Sequence, residues 1–205
     1  MQGSTPVECE VLNVIQGAGI WPDCDDKTQL LQAIQKLIPS SVSRRQYFTE
    51  DGQFEVPAGV TKVRVTVVGG GGGGGLNALL GDTDKQSESG GASSVSFNDI
   101  TVVAGGGEGG WSALTTSVAA ADGSASGGDL NLTGHGAPGG HGNTTNTGLT
   151  GGAGGNGGFA VKDLDVQPGG LLTVVVGAGG QSDVNTPKDP SGNFGGDGYV
   201  IVEWV

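Results

Sequence analysis

Basic residues are scarce in this 205-residue chain, and so are aromatic residues, cysteine and long apolar stretches. Nine Lys and Arg stand against 21 Asp and Glu, a formal charge of -12. A surface this acidic repels phosphate backbones and anionic headgroups, so neither nucleic acid nor a generic membrane surface is an expected partner. The two cysteines, Cys9 and Cys24, both fall in the first segment. With none elsewhere, two reduced thiols are expected rather than a disulfide. No apolar run approaches the ~18–20 residues of a bilayer span, so no membrane insertion is expected. The opening MQGSTPVECEVLNV lacks the basic-then-apolar order of a secretory leader, which points to synthesis in a cytoplasm.

Glycine is what the chain has in excess: 44 residues, about three times ordinary usage. Each loses much backbone freedom on folding and brings no side chain to bury. A conventional helical or doubly wound enzyme carries no such load, and disorder is the competing expectation. Two features argue for a fold. The hydrophobic fraction is 35%, with β-branched runs between the glycines. The glycines are also phased: Gly136, Gly139, Gly142, Gly148, Gly151, Gly154 and Gly157 fall at intervals of three, broken only at Thr145, and Gly192, Gly195 and Gly198 repeat the spacing. Period three is that of polyproline II, which has no internal hydrogen bonds. Buried turns of that kind must therefore bond to neighbours. Pro138 is the only proline in the longest stretch, which excludes collagen. A bundle of polyglycine-II helices within one chain is expected, drawn from 69–75, 105–110, 123–128, 134–158 and 192–198.

The segment 1–38 reads differently. Glu8–Gln16 carries Val11, Leu12, Val14 and Ile15 at helical spacing, and Gly17-Ala18-Gly19 stops it. A second helix over Lys27–Ile38, capped by Asp25 or Asp26, places Leu30, Leu31, Ile34, Leu37 and Ile38 on one face. A hairpin this small cannot bury its own stripes, so copies of itself or another protein must cover them. Val11, Ile15, Leu30, Leu31, Ile34, Leu37 and Ile38 are the candidate attachment and oligomerisation residues. Residues 39–46 read as a linker. From Tyr47 the periodicity is two, with strands expected at Lys62–Val68, Ala92–Phe97, Ile100–Val103, Leu171–Val176 and Tyr199–Val205. The fold class is mainly β: a glycine-rich β-sandwich with a polyglycine-II bundle, preceded by a small α-helical hairpin.

Catalytic patterns are missing. No nucleophile elbow, no cysteine beside a histidine and no phosphate-binding loop occurs. His135 and His141, six apart, lie about 19 Å from each other in an extended three-fold helix. No enzymatic activity, no metal and no cofactor is expected. Binding chemistry is better represented, in four polar segments between the glycine-rich stretches. These are Leu76–Ser89, Trp111–Ala121, Asn143–Thr147 and Gln181–Asn193. Asn77, Asp82, Asp84, Lys85, Asn143, Thr144, Asn146, Asp183, Asn185 and Lys188 offer the groups that bond to sugar hydroxyls or protein surfaces. Trp111 offers a stacking face.

The stretch Phe48–Gly71 (FTEDGQFEVPAGVTKVRVTVVGGG) resembles the beginning of glycine-rich domains in bacteriophage tail fibres. Val161–Gly170, Leu172–Gly180 and Gly198–Trp204 resemble the end of the same domains. Gly17–Ile20, Pro22-Asp23 and Thr28–Ile34 are similar to the segment that precedes them. The resemblance implies a β-sandwich with polyglycine-II helices, a homotrimer, and a place in the tail of a virion. It implies attachment to tail or baseplate proteins through the hairpin (1–38). The glycine-rich domain (47–205) would then bind a host surface glycan or protein. The alternative is a structural adaptor or spacer of the tail that binds no receptor.

Overall fold

The computed structural model describes residues 7–23, 25–37, 44–75, 86–111, 120–142, 151–182 and 194–204. The chain divides into two units, 1–43 and 44–204.

The first unit is a pair of helices, α1 (Val7–Gly17) and α2 (Gln29–Leu37). Gly19 ends α1 in the left-handed region (φ 69°). Its amide bonds to Gln16 O at 2.8 Å and that of Ile20 to Ile15 O at 3.2 Å, a Schellman motif. The start of α2 falls two residues later than the sequence suggests. Asp26 does not cap the helix itself. Its Oδ1 accepts the Thr28 amide (2.8 Å) and hydroxyl (2.6 Å), leaving Thr28 as the cap residue, whose carbonyl takes the Gln32 amide. Gln29 is buried and closes the turn, donating to Trp21 O and accepting from Asp23 N, both at 2.8 Å.

The second unit holds ten strands: β1 (Arg44–Phe48), β2 (Gly52–Glu55), β3 (Lys62–Val68), β4 (Ser93–Phe97), β5 (Ile100–Ala104), β6 (Ala125–Ser126), β7 (Leu130–Leu132), β8 (Phe159–Asp165), β9 (Leu171–Val175) and β10 (Tyr199–Trp204). They form two antiparallel five-stranded sheets, ordered β1-β10-β3-β8-β7 and β2-β9-β4-β5-β6. Alternation assigns the faces. Val63, Val65 and Val67 of β3, with Val200 and Val202 of β10, share one core with Val95, Phe97, Val102, Leu172 and Val174 of the other sheet. Phe54 and Trp204 close it with rings 4.9 Å apart. β1 begins at Arg44, so Arg44–Gln46 are strand rather than linker.

Eight runs outside the named strands and helices extend from these strands: 69–75, 86–91, 105–111, 120–124, 136–142, 151–158, 177–182 and 194–198. Their backbone bonds repeat every three residues. In the run 69–75 the amides of Gly69, Gly72 and Gly75 donate to Gly158, Gly155 and Gly152, while those of Gly70 and Gly73 donate to Gly91 and Glu88. The amide of Gly71 donates to Gly196. The carbonyls serve three other runs: Gly69 and Gly72 accept from Ala137 and Gly140, Gly70 and Gly73 from Gly107 and Gly110, and Gly71 from Gly180. The run 69–75 is thus the centre of six neighbours. Those six also bond to one another in a closed ring, 151–158 to 105–111 to 86–91 to 177–182 to 194–198 to 136–142 and back. The eighth run, 120–124, bonds to 105–111 and 151–158 from outside.

This arrangement explains the glycine pattern. A Cβ on Gly69, Gly72 or Gly75 would meet backbone of 104–111, on Gly70 or Gly73 backbone of 177–181, and on Gly71 or Gly74 backbone of 138–141. All three directions are blocked around the central run, so each of its seven positions is glycine. In the ring, one direction in three faces outward, and there the chain places Glu108, Trp111, Pro138, His141, Ala178 and Gln181, all exposed. Where a run lacks a neighbour, side-chain oxygens substitute. Asp122 accepts the Asn156 amide (2.7 Å), Asp197 that of Gly179 (2.7 Å) and Asn156 that of Gly139 (3.0 Å).

Candidate functional site

Chain direction divides the two ends of the eight runs. Runs 69–75, 105–111 and 177–182 leave strands β3, β5 and β9, and 136–142 follows β7. Runs 86–91, 120–124, 151–158 and 194–198 lead back into β4, β6, β8 and β10. The four outgoing runs are mutually parallel and the four returning ones antiparallel to them, as the bond registers require. Strands therefore hold one end, and the four connections 76–85, 112–119, 143–150 and 183–193 all depart from the other.

The described residues at that second end are held by the same ladder. Trp111 forms a bridge with Gln86 and accepts the Gly152 amide at 2.9 Å. Gln86 donates from Nε2 to Gly109 O (3.0 Å) and Ser87 from its hydroxyl to Gly74 O (2.8 Å). Trp111 and Phe194 keep 37% and 46% of their surface, unusual for large rings on a bundle whose interior is backbone. His141 and Gln181 are exposed on the two runs that flank that of Phe194, while Trp111 stands on the run opposite in the ring, and Ser182 is buried with an unpartnered hydroxyl. A tryptophan, a phenylalanine, amides and a histidine on a rigid platform suit stacking and hydrogen bonding to a ligand.

Of the candidate binding residues, Trp111 is described and stands at this end. Asn77, Asp82, Asp84, Lys85, Asn143, Thr144, Asn146, Asp183, Asn185 and Lys188 lie outside the described residues. Gln86 and Gln181 lie inside two of the candidate segments, whereas Phe194 lies one residue beyond the last and carries no periodic signal of its own. His135 is exposed, with Nδ1 2.7 Å from Thr133 O. Among the described residues, no three His, Cys, Asp or Glu side chains gather as a metal site would require.

The hairpin leaves the apolar stripe of α2 uncovered but takes two candidate attachment residues, Ile15 and Val11, into its own packing. Ile15, Ala18 and Ala33 form its core, with Val11, Val14 and Ile20 half-buried against them. The packed face of α2 is therefore that of Ala33 and Gln29. Leu30, Leu31 and Ile34 stay exposed, as do Leu12 and Trp21, the latter at 87%. The side chain of Leu37 and the whole of Ile38 lie outside the described residues. Among the described residues no helix is long and apolar enough to cross a membrane.

No protein-family model matches the chain, and no curated protein matches it.

Proposed function

We propose that the eight runs are polyglycine-II helices in hexagonal packing, that the two sheets form a β-sandwich, and that the protein is a bacteriophage tail-fibre or tail-tip adhesin. The fold reading is supported by the three-residue repeat of donors and acceptors around 69–75, which polyproline-II geometry produces and strand pairing does not. The adhesin reading rests on one observation above others: all four connections leave the same end of a backbone-bonded bundle. Among the described residues such a bundle is held mainly by main-chain bonds. Its connections are thereby available to vary with a host glycan or surface protein. Trp111 and Phe194 at their base offer the aromatic component of that site. The residues Asn77, Asp82, Asp84, Lys85, Asn143, Thr144, Asn146, Asp183, Asn185 and Lys188 supply the polar one.

In this reading the hairpin trimerises and mounts the chain on a tail or baseplate protein, consistent with the exposed Leu12, Leu30, Leu31 and Ile34. The same exposed residues suit an adaptor that binds no receptor. The two readings part in a blocking experiment. The purified chain is expected to bind permissive bacteria and to compete with virions for adsorption. Pretreating the cells with periodate or with protease tells a glycan from a protein receptor. A chain that binds no host cell, yet is required for particle assembly, supports the adaptor instead.

A further inference from the structure

The outer faces of the two sheets differ in chemistry. Across the sheet β2-β9-β4-β5-β6, the register aligns Gln53, Thr173, Ser96 and Thr101 in one outward row and Val175, Ser94, Val103 and Ser126 in the next. Hydroxyl and amide side chains fill the first of these rows, while the exposed apolar Leu171 and Val175 on β9 are separated by Thr173. Across β1-β10-β3-β8-β7, one outward row is Tyr47, Ile201, Thr66, Val161 and Leu130, and the row beside it is Tyr199, Val68, Phe159 and Leu132. Tyr47 keeps 57% of its surface, Leu130 47% and Tyr199 39%. Val68 itself is buried, and the seven apolar side chains with exposed surface, Tyr47, Ile201, Val161, Leu130, Tyr199, Phe159 and Leu132, flank it and Thr66 on β1, β10, β8 and β7. Scattered apolar residues need no explanation, but a contiguous patch of this kind marks an interaction surface.

We propose that this face packs against a second copy of the chain. The charges beside the patch specify the occupant. The third row reads Arg45, Glu203, Arg64, Asp163, alternating in sign and balanced, with Arg64 forked onto Asp163 at 2.7 and 3.0 Å. It begins with a cation at β1 and ends with an anion at β8. A two-fold axis along the strands sets Arg45 of one copy against Asp163 of the other. The outward positions of this sheet hold Arg45, Lys62 and Arg64 against Glu203, Asp163 and Asp165, a balanced set in a chain of charge -12. Elsewhere two copies repel; here the repulsion is least. Five strands and four rows span about 24 Å by 20 Å. Two such faces bury roughly 1,000 Å², the lower limit of a specific interface, which fits a contact that works together with the hairpin. The inference rests on the self-association read above but not on its symmetry.

The test uses the full chain in sedimentation velocity across a concentration series, comparing wild type, Tyr47→Lys/Leu130→Lys and the control Thr173→Lys on the opposite sheet. The first variant is expected to raise the dissociation constant about tenfold or more, with an unchanged unfolding midpoint, and the control to match wild type. An assembled wild type whose patch variant associates equally well overturns this inference and leaves self-association standing through other surfaces. A wild type that stays monomeric overturns both. Should the double variant misfold, nitration of wild-type Tyr47 and Tyr199 decides. Both are expected to react more slowly at assembling than at dissociating concentrations, and equal rates contradict the proposal.

Discussion

At the scale of single residues, backbone crowding decides what each position tolerates. A Cβ on Gly71 would overlap the carbonyl of Pro138, which is itself fixed by the Gly196 amide. Backbone cannot step aside as a flexible side chain does, so Gly71→Ala is expected to cost about 3 kcal/mol or more. Gly17, in the last turn of α1, has nothing within 4 Å of an added Cβ. Gly17→Ala is expected to stabilise that helix by about 0.5–1 kcal/mol. Thermal unfolding of the two variants checks the contrast, and similar effects would contradict the crowding argument. Ionisation matters less. Asp163 is held below the ordinary carboxylate range, first by its hydrogen bond from Arg64, and Asp129 first by the Asp163 amide and then by Lys162. A carboxyl whose pKa is lower folded than unfolded contributes stability above pH ~4, and that is lost as pH falls through the folded value. Both groups are exposed and contribute little. The bonds of the glycine runs mostly join amides to carbonyls, which do not titrate; the carboxylates of Asp122 and Asp197 accept only the amides of Asn156 and Gly179 at their edge. The unfolding midpoint is therefore expected to stay level from pH 8 to 5 and to decline below about pH 4; a fall between pH 8 and 5 would show a titrating group at the core.

At the scale of elements, the sequence is legible wherever the periodicity belongs to one environment. β3, β4, β5, β9 and β10 alternate apolar and polar residues and stand where alternation puts them. β8 hides because Lys162, Asp163 and Asp165 break its apolar face, and β6 and β7 are too short to show a period. The run 86–91 escapes notice for a different reason. It has two glycines, since Gln86, Ser87, Glu88 and Ser89 precede them, yet its backbone bonds to three neighbouring runs. What qualifies a segment for this bundle is its main chain, and side chains are excluded only in directions where a neighbour stands. The stretch 134–158 holds two runs of opposite direction, which a single glycine phase cannot reveal. In the hairpin, helical spacing identifies the apolar residues but not the packed face, because Ala33 lets the helices approach more closely than leucine would. Gln29→Ala removes two hydrogen bonds and leaves the Trp21 carbonyl and Asp23 amide unpaired by it. It is expected to destabilise the hairpin by about 1–3 kcal/mol, seen as earlier loss of helical circular dichroism with strand signal retained.

At the scale of the molecule, construction and recognition are assigned to different atoms. The runs are held through the main chain, and the sheets through a shared valine-rich core. The bonds and contacts that show this all lie among the described runs and strands. Most candidate binding residues belong to those connections and were chosen for chemistry alone; their common departure point becomes visible only once the register of the runs is known. The most direct test of the proposed adhesin role replaces 76–85, 112–119, 143–150 and 183–193 with glycine-serine segments of equal length. Binding of the full-length protein to permissive cells is measured alongside its unfolding midpoint. The account predicts that binding is lost while the midpoint stays within a few degrees of wild type. Undiminished binding by a folded variant would contradict it and move recognition to another surface.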